Sequence, residues 1–453
     1  MRRRSLWSRI GPAFIVGATV IGPGSVTLMS TTGANYGYAL LWLSLLSGAL
    51  IAGFLVLFMR FGICCDETFL DVTARRLGRP FAVACGLTIF LVSAAFQFGN
   101  ALGVTAGMEA LFPGVSPYVW PVGFTVAAIV FMFGLKTIYF VLEKMMTFFL
   151  VFMVLAFMVN LVWALCAKPD PLALLRAALR GACIPSVPED VNWVYISGLV
   201  GTTFCISAAF FQSYLVKAKG WTEDDLARGI GDTVMASVML TLVGAVVMMT
   251  AATVLYPRAG SVTFEIMVGS LEGAFGPYAK IVFSVGFWAA AFSSFVANSL
   301  SGGVLAGDGL GLGGRLDSMP TKVFATCVLL VGMTTGLLVI HSAEDAKSGA
   351  RPAAATPSEA PADSPARSEA ESTTRLDLKV AAILVGQAST MLAVPLGVIA
   401  MVVVLFDRRA TKGRGLTLWA KAFVLFGAVV LLAVATLTYW KIQPELSRIL
   451  GLE

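Results

Sequence analysis

The sequence predicts an all-α polytopic membrane protein of about eleven transmembrane helices. Three observations predict it. Of the 453 residues, 58% are hydrophobic and 13% charged, against roughly a quarter charged in a soluble chain. The apolar residues form runs of about 20, the length that crosses a bilayer as a helix. The Lys and Arg gather between alternate runs rather than between all of them.

The runs occupy 11–31, 38–60, 81–104, 118–135, 141–166, 194–216, 231–255, 278–305, 322–341, 379–405 and 418–439. Before the first stand Arg2, Arg3, Arg4 and Arg9, and after the second Arg60, Arg75, Arg76 and Arg79. Lys136 and Lys144 follow the fourth; Lys217, Lys219 and Arg228 follow the sixth. Arg315 and Lys322 follow the eighth, and Arg408, Arg409, Lys412, Arg414 and Lys421 the tenth. This places 20 of the 32 Lys and Arg on one side, which the positive-inside rule makes the cytoplasm. The N-terminus is then cytoplasmic and, with an odd number of spans, the C-terminus outside. No small-residue cleavage site follows the basic opening, so it reads as the start of a bacterial inner-membrane protein rather than as a signal peptide.

The organisation follows: 1–10 cytoplasmic, 11–166 spans one to five, 167–193 an outer loop, 194–407 spans six to ten, 408–417 a cytoplasmic loop, 418–439 span eleven and 440–453 outside. Within the second set, 342–375 is rich in Ala, Pro, Ser and Glu and lacks aromatics. It cannot bury enough apolar surface to offset ordering and reads as a disordered outer loop.

Several function classes fall away. No Walker A pattern is present, so an ATP-driven pump is not expected. The glycine-rich "GDGLGLGG" from Gly307 follows a membrane helix rather than a strand and reads as a flexible cytoplasmic connection. With His341 the only histidine, no Ser, His and Asp set can be assembled, so no enzyme is expected. The seven cysteines (64, 65, 85, 166, 183, 205 and 327) show no zinc spacing and, Cys205 apart, read as packing residues. No cofactor is called for. The net charge of +6 is that of basic loops and needs no nucleic acid. The partners are the lipid bilayer and a small ion or small molecule; nothing indicates the oligomeric state.

Two spans carry interruptions. In the first, "GATVIGPGS" sets Gly-Pro-Gly at Gly22 to Gly24, and both residue types disfavour helix. In the sixth, "GLVGTTFCIS" combines two glycines with Thr, Cys and Ser. The two lie at corresponding places if spans one to five and six to ten are repeats. Paired interruptions of that kind point to a transporter's binding site, although small residues also permit close helix packing. Backbone hydrogen bonding is expected to lapse near Gly22–Ser25 and Thr202–Ile206. No Asp, Glu, Lys, Arg or His is expected deep inside a span.

With "GPG" followed by "GANYGYALLW", "GLVGTTFCISAAFFQSYLV" in span six and "GQASTMLAVPLGVIAMVVVLFDRR" in span ten, the chain resembles the NRAMP family of divalent-metal transporters over nearly its whole length. The resemblance implies a LeuT-type fold: two inverted five-helix repeats plus one extra helix, the ion held between the breaks of spans one and six. The ligand positions depart from the family. Its Asp-Pro-Gly-Asn is here Gly22, Pro23, Gly24 and Ser25. Its span-six methionine is Cys205, and its two carbonyl-contributing alanines are Thr19 and Thr202. Two family histidines are Ser207 and Gln212, and the acidic proton pair of span three aligns with Ala94 and Gln97. A span-ten glutamine is kept as Gln387.

The substrate-binding residues implied are thus Thr19, Gly22, Gly24, Ser25, Thr202, Cys205 and Gln387, with Ser25 and Cys205 the side chains that would touch a metal. A divalent ion leaving water needs strong oxygen ligands or anions. Here only carbonyls, a hydroxyl, amides and a thiol are on offer, and a buried thiol keeps its proton. Three readings follow: a divalent-cation transporter of altered selectivity without the family's usual proton coupling; a transporter of a neutral, zwitterionic or anionic organic solute; and a non-transporting relative.

Overall fold

A proline at the first position of a helix sacrifices no hydrogen bond, because its missing N–H would be unpaired there anyway. Pro23 takes that position, and the Gly-Pro-Gly interruption becomes a boundary between two helices. Helix α1 (Ala13–Val20) ends at Ile21, whose backbone is extended (φ −89°, ψ 105°). Helix α2 (Pro23–Tyr36) starts after Gly22, also extended. The two axes differ by 61°. The computed structural model describes residues 11–134, 138–189, 191–258, 260, 262–349, 386–407 and 415–450.

The remaining helices follow in order. They are α3 (Leu41–Cys64), the amphipathic α4 (Phe69–Leu77), α5 (Arg79–Leu111), α6 (Val119–Gly134), α7 (Ile138–Cys166) and α8 (Pro171–Cys183). Then come α9 (Trp193–Thr203), α10 (Ile206–Lys219), α11 (Leu226–Val254), α12 (Phe264–Phe275), α13 (Ala279–Gly309) and α14 (Met319–Gly349). A 3₁₀ turn, Ser389–Ala393, leads into α15 (Val394–Leu405), and α16 is Leu418–Leu450. Among the described residues, nine stretches are long and apolar enough to cross a membrane, and the bent pair α1–α2 makes a tenth. The 16-residue apolar α6 falls where span four was expected, so each of the eleven spans has a helix.

The second interruption is also a break. Helix α9 ends at Thr203 and α10 begins at Ile206, with Phe204 and Cys205 non-helical between them. Two β-branched threonines after Gly198 and Gly201 weaken the helix at that point.

The broken helices lie at the centre. Helix α5 runs along α13, α2 packs on α11, and α10 on α3. The central helices bury nearly every side chain, whereas α7 and α16 turn Phe148, Leu155, Val159, Phe426 and Val429 outward, the faces a bilayer covers.

Two expectations need correction. The helix of span nine does not stop at 341: α14 continues to Gly349, so 342–349 is helical. There Tyr118 of the α6 entry donates to Glu344 at 2.6 Å. The rest of the expected disordered loop, 350–375, lies outside the described residues. The "GDGLGLGG" stretch is ordered: Asp308 is fully buried in the last turn of α13 and accepts a hydrogen bond from Tyr214 at 2.6 Å.

Candidate functional site

The first break frees carbonyls because Pro23 has no N–H to give the Thr19 carbonyl four residues back. The second does the same for Thr202, whose i+4 partner, Ile206, belongs to the next helix. Only Ser25 closes part of its gap, donating to the Val20 carbonyl at 2.6 Å. Its single proton being used there, the contact with Thr202 Oγ1 at 2.5 Å makes Thr202 the donor and Ser25 the acceptor. The two breaks therefore meet through two hydroxyls, with Ser25 and Thr202 both buried.

Span ten closes over this meeting point. A side chain at Gly24 would run into the Gln387 amide. One at Gly201 would run into Thr390 and the Gln387 carbonyl. The approach is possible because both positions are glycine. Gln387 is fully buried, and neither of its amide atoms has a hydrogen-bond partner.

The other sequence-derived positions divide. Thr19 is buried and bonded back to Val16 O at 2.7 Å. Cys205, at the second break, lies 3.0 Å from Ser207 Oγ. Gln212 turns away to Thr233 on α11 at 3.4 Å. Ala94 is a buried apolar residue. Gln97, by contrast, joins a polar network beside the first break.

That network was not anticipated, apart from Gln97. Asn298 Nδ2 donates to Ser93 O at 2.8 Å and reaches Gln97 Oε1 at 3.5 Å. Asn100 Nδ2 donates to the same Gln97 oxygen at 3.3 Å and to Ser294 Oγ at 2.8 Å. All five residues are buried. The signal was present in the sequence: Ser93, Gln97 and Asn100 share one face of α5, and Ser294, Asn298 and Ser301 one face of α13, each at i, i+4, i+7.

Nor was Asp232 anticipated. It is buried near the start of α11 and accepts the Ala13 N–H at 3.2 Å, so it caps the α1 N-terminus. It stands at the second position of the expected span 231–255, close to its end rather than deep inside it. Other charges sit at the same end of the molecule: Arg76 makes a two-pronged ion pair with buried Asp407, which Arg75 also reaches, and Lys219 pairs with Glu143. Around the breaks themselves the groups are neutral, and no cluster of three or more His, Cys, Asp or Glu exists among the described residues.

Two broken helices meeting at the centre of an all-helical membrane bundle define a multi-pass transporter and not an enzyme. A family model, Nramp (natural resistance-associated macrophage protein-like), matches residues 13–346, and the chain belongs to that family. Among its relatives, the divalent metal cation transporter MntH of Pectobacterium carotovorum is 25% identical over 308 residues, covering 67% of this chain and 73% of the relative. The structure is similar to that of the Eremococcus coleocola manganese transporter, solved in complex with an aromatic bis-isothiourea compound. The TM-score is 0.75 at 13% identity, over 96% of this chain and 87% of that one. MhsT in complex with L-phenylalanine matches at a TM-score of 0.56 and 14% identity, over 95% of this chain and 98% of MhsT. The fold is the LeuT type, with inverted repeats and an additional helix.

Proposed function

We propose that this chain is a secondary transporter that moves a divalent metal cation with altered selectivity and without the family's usual proton coupling. The observation that carries the reading is the meeting of the two breaks at Ser25 and Thr202, with the Thr19 and Thr202 carbonyls freed beside it. The names of the relatives, a divalent metal cation transporter and a manganese transporter, supply the substrate class.

Altered selectivity follows from the donor set. Carbonyl, hydroxyl and amide oxygens suit hard cations such as Mg²⁺, Ca²⁺ and Mn²⁺, while thioether and thiolate ligands favour soft ones. The cysteine of the second break, Cys205, is hydrogen-bonded to Ser207. With no carboxylate beside the breaks among the described residues, the ion keeps part of its water shell. Uncoupling from protons follows from the neutral groups at the family's proton positions: Ala94, Gln97, Ser207 and Gln212.

The reading includes a bacterial inner membrane, a cytoplasmic N-terminus, an outer C-terminus, and repeats bounded at 11–166 and 194–407. A second reading has its own observation. The N–H groups of Gly24 and Ser25 lie in the first turn of α2, which carries no acidic residue, and such a terminus attracts the carboxylate of an organic solute. Calorimetric titration of the purified protein against a divalent-metal panel and an amino-acid panel separates the two. The metal reading expects heat with Mn²⁺ or Mg²⁺ and none with amino acids, and the reverse result sinks it.

A further inference from the structure

The Asn100 amide is fixed in direction. Its NH₂ group gives one bond to Ser294 Oγ at 2.8 Å and another to Gln97 Oε1 at 3.3 Å. The Gln97 oxygen is held in place in turn by a second amide, that of Asn298. Ser294 Oγ can serve either orientation, but reversing Asn100 would set its oxygen against the Gln97 oxygen. The carbonyl oxygen therefore faces the other way, toward the break in span one. A Cβ built on Gly22 would lie 2.5 Å from Asn100 Oδ1 and 3.0 Å from Ser294 Oγ. Asn100 is fully buried, and this oxygen has no hydrogen-bond partner. A buried acceptor left unmade is costly, and here it sits where a side chain on residue 22 would begin.

We propose that Asn100 Oδ1 is a ligand for the transported ion, a neutral oxygen delivered from α5 into the position that the side chain of residue 22 would occupy. The ion is a hard divalent cation, because an amide carbonyl is a hard, uncharged donor. Gln387, unpartnered and lying against both Gly24 and Gly99, offers a second amide. Ser294 and Gln97 are positioning residues: they touch the Asn100 NH₂ group and aim its oxygen. The inference rests on the metal reading above.

The test is titration of the purified full-length protein with Mn²⁺. Asn100→Ala removes the oxygen and should weaken binding at least tenfold. Asn100→Asp keeps the shape and adds a charge, so it should tighten binding at least tenfold. It should also make affinity fall as pH drops through the carboxylate range, a dependence the unaltered protein lacks. Should Asn100→Ala not fold, the isosteric Asn100→Asp carries the test. Unchanged affinity and pH dependence in folded Asn100→Asp would overturn the proposal. If the unaltered protein binds no Mn²⁺, the metal reading fails by itself. Mn²⁺ binding created by Asn100→Asp would then still uphold the placement of residue 100, and its absence would overturn that as well.

Discussion

An aspartate at position 22 would need the space that Asn100 and Ser294 occupy, so restoring the family's residue there is not a one-site change. Gly22→Asp should lower stability by about 1–3 kcal/mol, the usual cost of overpacking a buried site. Combining it with Asn100→Ala should recover much of that loss, since residues in direct contact are non-additive. Thermal melts of the two single variants and the double variant measure the coupling; strict additivity would mean the Gly22–Asn100 contact is misplaced. Ser25→Ala is a different kind of change. It leaves the Val20 carbonyl and the Thr202 hydroxyl without their partner, at a cost of about 1–3 kcal/mol, and should reduce metal affinity besides. A variant with wild-type melting and wild-type affinity would remove Ser25 from the site. The sequence made Ser25 and Thr202 visible because they sit in the broken stretches. It hid Asn100 and Ser294, whose importance comes from two unbroken helices laid side by side, which no single span reveals.

At the scale of elements, the two breaks were legible for unequal reasons. Gly-Pro-Gly breaks a helix through covalent chemistry, and the boundary falls at Ile21–Gly22, at the leading edge of the anticipated four residues. The second break rests on weaker propensities, and it falls at Phe204–Cys205, toward the end of its anticipated window. The seating of α1 was not legible, because Asp232, the residue that caps it, lies 219 positions away in the chain from Ala13. Asp232→Ala should leave the Ala13 N–H unsatisfied and cost about 1–2 kcal/mol. Asp232→Asn, which keeps an acceptor oxygen, should cost less than the alanine. Chemical denaturation of both variants checks this, and an asparagine as damaging as the alanine would mean that the charge, not the hydrogen bond, secures the half-helix. A similar asymmetry governs the ion pair between α4 and the end of α15. Removing Arg76 leaves the buried Asp407 carboxylate with Arg75 alone in reach, so Arg76→Ala should destabilise more in chemical denaturation than Asp407→Ala, which leaves only partly exposed guanidinium groups.

For the whole molecule, hydropathy and basic loops anticipated the eleven helices. They could not tell which faces meet lipid and which meet each other, because both are apolar. The buried ion pairs described gather at one end. The ion pairs Arg76–Asp407 and Lys219–Glu143 and the Tyr214–Asp308 bond join helices at the ends that the basic-loop pattern predicts to be cytoplasmic, while the breaks hold neutral oxygens. On the proposed reading, nothing at the breaks has to gain or lose a proton for the ion to pass. The direct measurement is Mn²⁺ uptake into proteoliposomes carrying an internal pH dye, with and without an imposed pH gradient. The account predicts saturable Mn²⁺ entry with no accompanying acidification and no steep rise at acid external pH. Substrate-dependent acidification would contradict it, as would vesicles that admit an amino acid and exclude the metal.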